Sequence, residues 1–243
     1  MALTSLPRAI LFDLDETILT FGHRRLLLQE VAERHAERFA PLTPAQAAGR
    51  IEAQFRAFWG DEARHKEWRR RLADARRHST RLAFKSLEAD GVTGLDAAFA
   101  DAFADLFHAL RESEIRFFPK ALETLAELRR REVLMALVTN GDAATQRGKI
   151  ERFDLAGFFD HIQIEGEHGF GKPEERAYIH ALAALGVSAR ETWMVGDNLE
   201  REVAAPQRLG IFGIWHDHLN EGLPPDAKVI PDRIITSLDQ LLE

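Results

Sequence analysis

From residue 116 onward the sequence alternates short, apolar, β-rich runs with helix-like stretches, and this alternation constrains the fold more than any other feature. Strands separated by helices of this length form βαβ units, which build a parallel sheet with helices on both faces. The right-handed crossover between parallel strands makes the arrangement doubly wound. The predicted fold class is therefore α/β. The predicted strands lie within residues 8–20 and at Val133–Thr139, His161–Glu165, Thr192–Val195 and Ile211–Trp215.

The segment 21–113 lies between the first predicted strand and the rest of the sheet, and it contains no convincing strand. Its apolar residues recur at helical spacing, and Thr43 followed by Gln46 is a capping-box pattern that starts a helix. About ninety residues are far too many for a loop. We therefore predict an α/β core, residues 1–20 and 114–243, with an inserted all-helical domain at 21–113.

Composition excludes several classes of protein. The formal net charge of the 243 residues is -7, which argues against general attraction to nucleic acid or to an anionic membrane. No apolar run approaches the length of a membrane span, and the N-terminal residues lack the pattern of a signal peptide. The absence of cysteine excludes disulfides and thiolate chemistry. We therefore expect a soluble, cytoplasmic protein that binds neither nucleic acid nor membrane.

Polar and charged side chains follow four of the predicted strands. In a parallel sheet the carboxyl ends of the strands meet at one edge, where ligands bind. We therefore expect these side chains to lie close together. In chain order they are Asp13 and Asp15, Thr139 and Asn140, Lys172, and Asp197 with Glu202.

These residue types together suit the transfer of a phosphoryl group. A carboxylate can attack phosphorus, but both partners are anionic, and each pair of unit charges costs roughly 4 kcal/mol at about 4 Å and a dielectric constant near 20. A divalent cation such as Mg²⁺, bound by carboxylates and phosphate oxygens, removes that repulsion. A lysine adds positive charge, hydroxyl and amide groups bind phosphate oxygens, and a second carboxylate can move a proton.

Four motifs in this order resemble those of the haloacid dehalogenase-like (HAD) hydrolase superfamily. They are FDLDET (Phe12–Thr17), VTNG (Val138–Gly141), GKP (Gly171–Pro173) and VGDN with the acids that follow it (Val195–Glu202). The helical segment 21–113 is similar in position to the type-1 cap of that family. The resemblance implies a Rossmann-like, doubly wound core and a phosphatase with a helical cap.

The resemblance also implies a role for each matching residue. Asp13 corresponds to the nucleophile, and Asp15 corresponds to the general acid and base. Thr139 and Asn140 correspond to residues that bind phosphate. Lys172 corresponds to the lysine that neutralises both the nucleophile and the phosphoryl group, and so it counts as a catalytic and a phosphate-binding residue.

The cofactor implied by the resemblance is Mg²⁺. Its ligands would be the carboxylates of Asp13 and Asp197 and the backbone carbonyl of Asp15. Glu202 stands where the family often has aspartate, so its longer side chain is expected to reach the metal through water. Pro206 is also unusual for the family, and we expect it to bend the chain locally without changing the chemistry.

Asp15 favours a phosphatase among the reactions of the family. A phosphatase must protonate an alkoxide leaving group, whereas a dehalogenase releases a halide. A sugar phosphomutase shares all four motifs and stays an alternative. A phosphonate-cleaving enzyme would need a cap lysine, for which Lys66 and Lys85 are candidates.

Two alternatives lie outside enzymes. A signalling receiver module also clusters acids, a threonine and a lysine at strand ends, but it has no helical insertion after the first strand. A binding protein on the same fold that has lost catalysis is disfavoured because all of the reactive positions are intact. The sequence therefore favours an enzyme.

The predicted substrate is a small phosphorylated metabolite, either a nucleotide or a sugar phosphate. The resemblance implies that the cap selects it, and residues 56–85 of the cap are rich in arginine and lysine. A solvated helix surface explains most of this charge. One or two of these arginines are candidates for binding an anionic substrate.

Overall fold

A computed structural model describes residues 6–68 and 71–243, apart from the side chains at positions 62, 65 and 66. The chain divides into two compact units. One contains the chain up to Thr20 together with Arg116–Glu243, and the other is Phe21–Ile115. The second junction therefore falls slightly later than the domain boundary that the sequence pattern predicts.

The first unit is built on a parallel sheet, which confirms the predicted α/β class. The strands of the described chain are β1 (Ala9–Phe12), β2 (Leu19–Thr20), β3 (Arg116–Phe117), β4 (Leu134–Thr139), β5 (His161–Ile164), β6 (Thr192–Gly196), β7 (Phe212–His216) and β8 (Arg233–Ile235). One sheet has the order β5-β4-β1-β6-β7-β8, and all of its neighbours are parallel. The chain extends the sheet first on one side of β1 and then on the other, so right-handed crossovers place helices on both faces. A separate antiparallel pair, β2 with β3, was not predicted.

Helices connect these strands and form the second unit. They are α1 (Arg24–Glu33), α2 (Pro44–Gly60), α3 (Glu62–Trp68), α4 (Leu72–Glu88), α5 (Ala97–Ser113), α6 (Ala121–Arg130), α7 (Ala143–Arg152), α8 (Glu165–His168), α9 (Glu175–Leu185) and α10 (Ala205–Arg208). A π-helical turn at Leu199–Ala204 leads directly into α10, and Pro206 lies in the first turn of α10. None of the described helices combines the length and apolar character needed to cross a membrane.

Strand register brings the ends of three central strands to one edge of the sheet. Phe12 lies opposite Leu137 of β4 and Val195 of β6. All residues of β1 are buried, and the residue that follows the strand, Asp13, is 8% exposed. The Asp13 N–H donates to the Val195 carbonyl oxygen over 3.0 Å, which fixes the backbone at that point.

The second unit has its own aromatic core. Phe39, Phe84 and Phe103 pack edge to face, with ring centroids 5.3 to 5.8 Å apart. The predicted capping box is confirmed at the start of α2. The Gln46 N–H donates to the Thr43 hydroxyl over 3.3 Å, and the Thr43 N–H donates to the Gln46 side-chain oxygen over 2.9 Å.

Acidic residues of α5 pair with part of the arginine-rich segment. Arg77 donates two hydrogen bonds to Asp105, at 3.0 and 2.8 Å, and Arg81 pairs with Asp101 in the same way. These pairs agree with a solvated helix surface at both positions. The side chain of Lys66, with Arg69 and Arg70, lies outside the described residues.

A buried histidine at the end of β7 predicts how stability depends on pH. His216 is 1% exposed, and its ring packs edge to face on Phe118 at 4.9 Å. Burial lowers its pKa to about 4, because it outweighs the backbone groups of Glu16 and Thr236 that favour the proton. The unfolded histidine takes up a proton near its ordinary pKa of 6.5, and the folded one does not.

Because the unfolded state then binds more protons, the free energy of unfolding should fall as the pH is lowered from about 7 to about 5. His216 should account for about 2 kcal/mol of that fall. Urea unfolding at both pH values, compared with the His216→Leu variant, measures its share. An equal pH dependence in the variant would contradict the assignment.

Candidate functional site

The central feature of this sheet edge is a buried ion pair between Asp13 and Lys172. Lys172 lies in the loop between α8 and α9, and its ammonium is 2.6 Å from Asp13 Oδ1. The lysine is 1% exposed. A buried ammonium is costly unless it is paired. The loop therefore delivers a cation to the carboxylate at the end of β1, as the strand-end pattern predicts.

Glu202 is a second partner of this lysine. Its Oε1 lies 2.8 Å from the Lys172 ammonium, and its Oε2 accepts the Asn198 N–H over 2.9 Å. The approach depends on Gly196, the last residue of β6, because a Cβ atom there would stand 2.0 Å from Glu202 Cγ. The glycine of the VGDN motif therefore makes room for the acid that follows the motif.

Negative charge exceeds positive charge around Lys172. Burial, with a smaller contribution from Glu202, raises the pKa of Asp13 to about 6, although Lys172 acts in the opposite direction. Burial alone would lower the pKa of Lys172, but the charges of Asp13 and Glu202 outweigh it and raise that pKa. The lysine is therefore firmly protonated, yet one ammonium does not balance the carboxylates that surround it.

Asp197 adds a third carboxyl group to this cluster. It follows β6, and its carbonyl oxygen accepts the indole N–H of Trp215 over 2.8 Å. Although part of the residue stays exposed, burial of its carboxyl group raises its pKa well above the usual range, and nearby Glu202 and Asp13 raise it further. The site therefore favours a further cation.

The donor set fits Mg²⁺. Carboxylate and carbonyl oxygens are the ligands this cation takes, usually one or two carboxylates with the other positions filled by water or phosphate. Within residues 6–68 and 71–243, no three Asp, Glu or His side chains are already arranged to hold an ion. The ammonium of Lys172 lies between the carboxylates of Asp13 and Glu202 and so keeps these two side chains apart.

Thr139 is the last residue of β4 and Asn140 follows it, but their side chains have different surroundings. The Asn140 amide donates to the Lys172 carbonyl over 2.6 Å, and its side-chain oxygen accepts the Lys172 N–H over 2.9 Å. Asn140 therefore holds the backbone of the lysine loop. The Thr139 hydroxyl accepts from the Gln146 amide over 2.6 Å at the start of α7. The predicted phosphate-binding residues thus lie at the same edge as Asp13.

Three polar residues at this edge were missed by sequence reasoning. Lys149 and Gln146, both on α7, contact the carboxylate of Asp15. Glu165, the first residue of α8, is 1% exposed, and its Oε2 accepts the Gly141 N–H over 3.2 Å. No motif in the sequence marks these residues. Their helical spacing alone does not reveal which face of α7 meets the sheet edge.

A protein-family model matches most of the chain. The model described as haloacid dehalogenase-like hydrolase matches residues 7–210. Among curated proteins, the phosphoserine phosphatase of Thermus thermophilus is 39% identical over 125 residues, which cover 51% of this chain and 49% of that protein. The glyceraldehyde 3-phosphate phosphatase of Methanopyrus kandleri is 28% identical, covering 85% of this chain and 82% of its own. Several other curated phosphatases match over about half of their length.

A solved structure shares the fold. The crystal structure of the HAD-hydrolase YfnB from Bacillus subtilis, which is bound to magnesium, superposes with a TM-score of 0.68 and 23% identity. The match covers 98% of this chain and 97% of that one. At this identity the likeness concerns the fold alone. It agrees with the parallel sheet and helical second unit described above.

Proposed function

Because the chain belongs to the haloacid dehalogenase-like hydrolases, we propose that it hydrolyses phosphate monoesters through a phosphoryl group carried on Asp13. The observation that carries the proposal is the Lys172 ammonium, 2.6 Å from the Asp13 carboxylate at the buried end of β1. A cation held there reduces the repulsion between a carboxylate nucleophile and an anionic phosphate. The proposed substrate is a small phosphorylated metabolite.

In the first step a carboxylate oxygen of Asp13 attacks phosphorus. A bond forms between that oxygen and phosphorus, and the bond from phosphorus to the leaving alkoxide breaks. Asp15, acting as general acid, gives its proton to the departing oxygen, so the product is a neutral alcohol. Lys172 donates to Asp13 and to the phosphoryl oxygens as the charge shifts, and Thr139 holds a phosphoryl oxygen through its hydroxyl.

In the second step water attacks the phosphorus of the aspartyl-phosphate. Asp15 is now a carboxylate and accepts the water proton, while the bond between phosphorus and the Asp13 oxygen breaks. Inorganic phosphate leaves and Asp13 returns as a carboxylate. The proton that Asp15 gave to the alcohol is replaced by the proton from water, so the cycle closes with one water consumed.

We assign Mg²⁺ to this site because its carboxyl groups outnumber the single ammonium of Lys172. Asp13 and Asp197 would hold the ion through carboxylate oxygens and Asp15 through its backbone carbonyl. The ion supplies positive charge that makes the carboxylates and the phosphoryl oxygens compatible. Glu202, bound to Lys172 and to the Asn198 N–H, would support the site without touching the ion directly.

Release of inorganic phosphate tests the proposed function. The purified protein should hydrolyse some members of a panel of monoesters that includes sugar phosphates, nucleotides, phosphoserine and glyceraldehyde 3-phosphate. Activity should require Mg²⁺, vanish with excess chelator and return when Mg²⁺ is restored. Without substrate, Mg²⁺ at 100 times its dissociation constant should stabilise the fold by about 2.7 kcal/mol, measured by urea unfolding.

A matched variant separates the metal from other effects. Asp197→Asn keeps the size of the side chain but removes one proposed ligand, so it should weaken the stabilisation by Mg²⁺ and the activity together. Phosphate release that is unaffected by chelator would contradict the assignment of the metal. Halide release from a 2-haloacid, with no phosphate release from any monoester, would contradict the proposed reaction.

A further inference from the structure

Two buried side chains of α7 reach the carboxylate of Asp15. The Lys149 ammonium lies 2.8 Å from each of the two Asp15 carboxylate oxygens. The Gln146 amide lies 3.1 Å from Asp15 Oδ2 and 2.6 Å from the Thr139 hydroxyl. Lys149 is 7% exposed and Gln146 is 2% exposed. Two side chains of the sheet edge with predicted roles, Asp15 and Thr139, are therefore joined through one helix.

The helix is held where these contacts require it. The side chain of Asp142 caps α7 by accepting the Thr145 N–H over 2.9 Å. Gln146 and Lys149 stand three residues apart, so both lie on the face of α7 that meets the sheet edge. A lysine on an amphipathic helix normally reaches water, and burying its charge is costly without a partner. Burial of Lys149 against Asp15 is therefore a specific contact.

The Asp15 carboxylate itself is not enclosed. Its side chain is 33% exposed, and it lies beyond the end of β1, in the turn that leads to β2. Proton transfer requires the donor and acceptor atoms to come within hydrogen-bonding reach. A misplacement of about 1 Å can cost on the order of 10²-fold in rate. Contacts that restrict the rotation of this carboxylate therefore bear directly on its proposed role.

We propose that Lys149 and Gln146 are positioning residues that hold the Asp15 carboxylate for proton transfer to and from the oxygen atoms of substrate and water. This inference rests on the proposed function, in which Asp15 is the general acid and base. Lys149 fixes both carboxylate oxygens. Gln146 ties the orientation of Asp15 to Thr139, the residue proposed to bind a phosphoryl oxygen.

Leaving groups of different basicity distinguish positioning from a purely structural role. Loss of p-nitrophenolate from p-nitrophenyl phosphate needs no proton, whereas loss of the alkoxide from benzyl phosphate does. Lys149→Met should lower kcat/KM for benzyl phosphate by about 10²-fold or more and for p-nitrophenyl phosphate by only a few-fold. Lys149→Arg should recover part of the loss. Gln146→Met should show the same selectivity with a smaller loss in kcat/KM.

Controls keep the outcomes separate. Arg147→Met removes a cation from the same helix that pairs with Glu167 at the surface, so both rates should stay near wild type. Asp15→Asn should show the same leaving-group selectivity, and adding Lys149→Met to it should cost little more, because both changes remove one function. If Lys149→Met fails to fold, Lys149→Arg and Gln146→Met carry the same comparison.

An equal loss on both substrates, or an undiminished effect of Lys149→Met in the Asp15→Asn background, would overturn the positioning role. These results would leave the proposed function intact. Absence of any Mg²⁺-dependent phosphate release by the wild-type protein would instead contradict the proposed function, and with it the inference that depends on it.

Discussion

Replacing Asp13 by asparagine is expected to abolish phosphate release, with a fall in kcat of at least about 10⁴-fold. The amide has nearly the same size and can still contact Lys172, but it is not a nucleophile toward phosphorus. Removal of a nucleophile eliminates the proposed covalent step altogether. The loss should therefore appear in kcat for every substrate that the wild-type protein hydrolyses.

The folded structure should survive this change. Burial raises the pKa of Asp13 to about 6, so its carboxylate costs the folded state energy near neutral pH, and the neutral amide removes that cost. We expect Asp13→Asn to unfold at a urea concentration equal to or above that of the wild type. Asp96→Asn is a matched control, because asparagine can still cap α5 through its side-chain oxygen. It should keep full activity. Substantial phosphate release by Asp13→Asn would contradict the account.

Lys172→Met is expected to have the second largest effect, and it should act on both activity and stability. The ammonium is bound to Asp13 and Glu202, at 2.6 and 2.8 Å, in a nearly fully buried position. Without this ammonium, the negative charge that develops in the transition state loses a hydrogen-bond donor, and kcat should fall by about 10² to 10³-fold. Removing one member of a buried charge cluster should also cost about 3 to 5 kcal/mol of unfolding free energy at neutral pH.

The stability loss should depend on pH and on Mg²⁺. In the variant the Asp13 carboxyl group loses the ammonium that lowers its pKa, so the folded state should take up a proton there more readily than the unfolded chain. The deficit should therefore shrink as the pH is lowered, and Mg²⁺ should recover part of it. Lys120→Met, which removes an exposed lysine paired with Asp239, should change stability by less than about 1 kcal/mol. An active, fully stable Lys172→Met would contradict the role assigned to the lysine.

Much of the site geometry could be expected from the sequence because strand ends converge by simple topology. β1 is a short run of buried apolar residues, so the residue after it, Asp13, had to appear at the edge of the sheet. Lys172 comes after β5, which is separated from β1 by β4. In a parallel sheet the carboxyl ends of β1 and β5 nevertheless point to the same edge. That argument needs only strand order and direction.

Contacts that depend on helix rotation could not be predicted in the same way. Lys149 lies within TQRGKIERF, a stretch that reads as an ordinary polar helix, and its burial against Asp15 depends on how α7 is turned. Asn140 was expected at the phosphate, but both polar atoms of its side chain hold the backbone of Lys172. A motif fixes residue type and order, whereas these contacts follow from packing.

The close contact between Glu202 and Gly196 is a further feature that the sequence does not predict. The sequence marks Glu202 as an acid in place of the more usual aspartate, and its length suggests only indirect contact with a metal. In the structure the extra length lets it reach both the Lys172 ammonium and the Asn198 N–H. The π-helical turn at Leu199–Ala204 presents it there, and sequence periodicity does not predict such a turn.

Detection of a phosphoryl group on Asp13 during turnover tests the central claim most directly. The wild-type protein, quenched in acid during hydrolysis with Mg²⁺ and then reduced with borohydride, should contain homoserine at position 13, because borohydride reduces an acyl phosphate to the alcohol. Peptide mass spectrometry should find this change only when substrate was present. An unmodified Asp13 in a protein that is turning over, or homoserine at position 15 instead, would contradict the account.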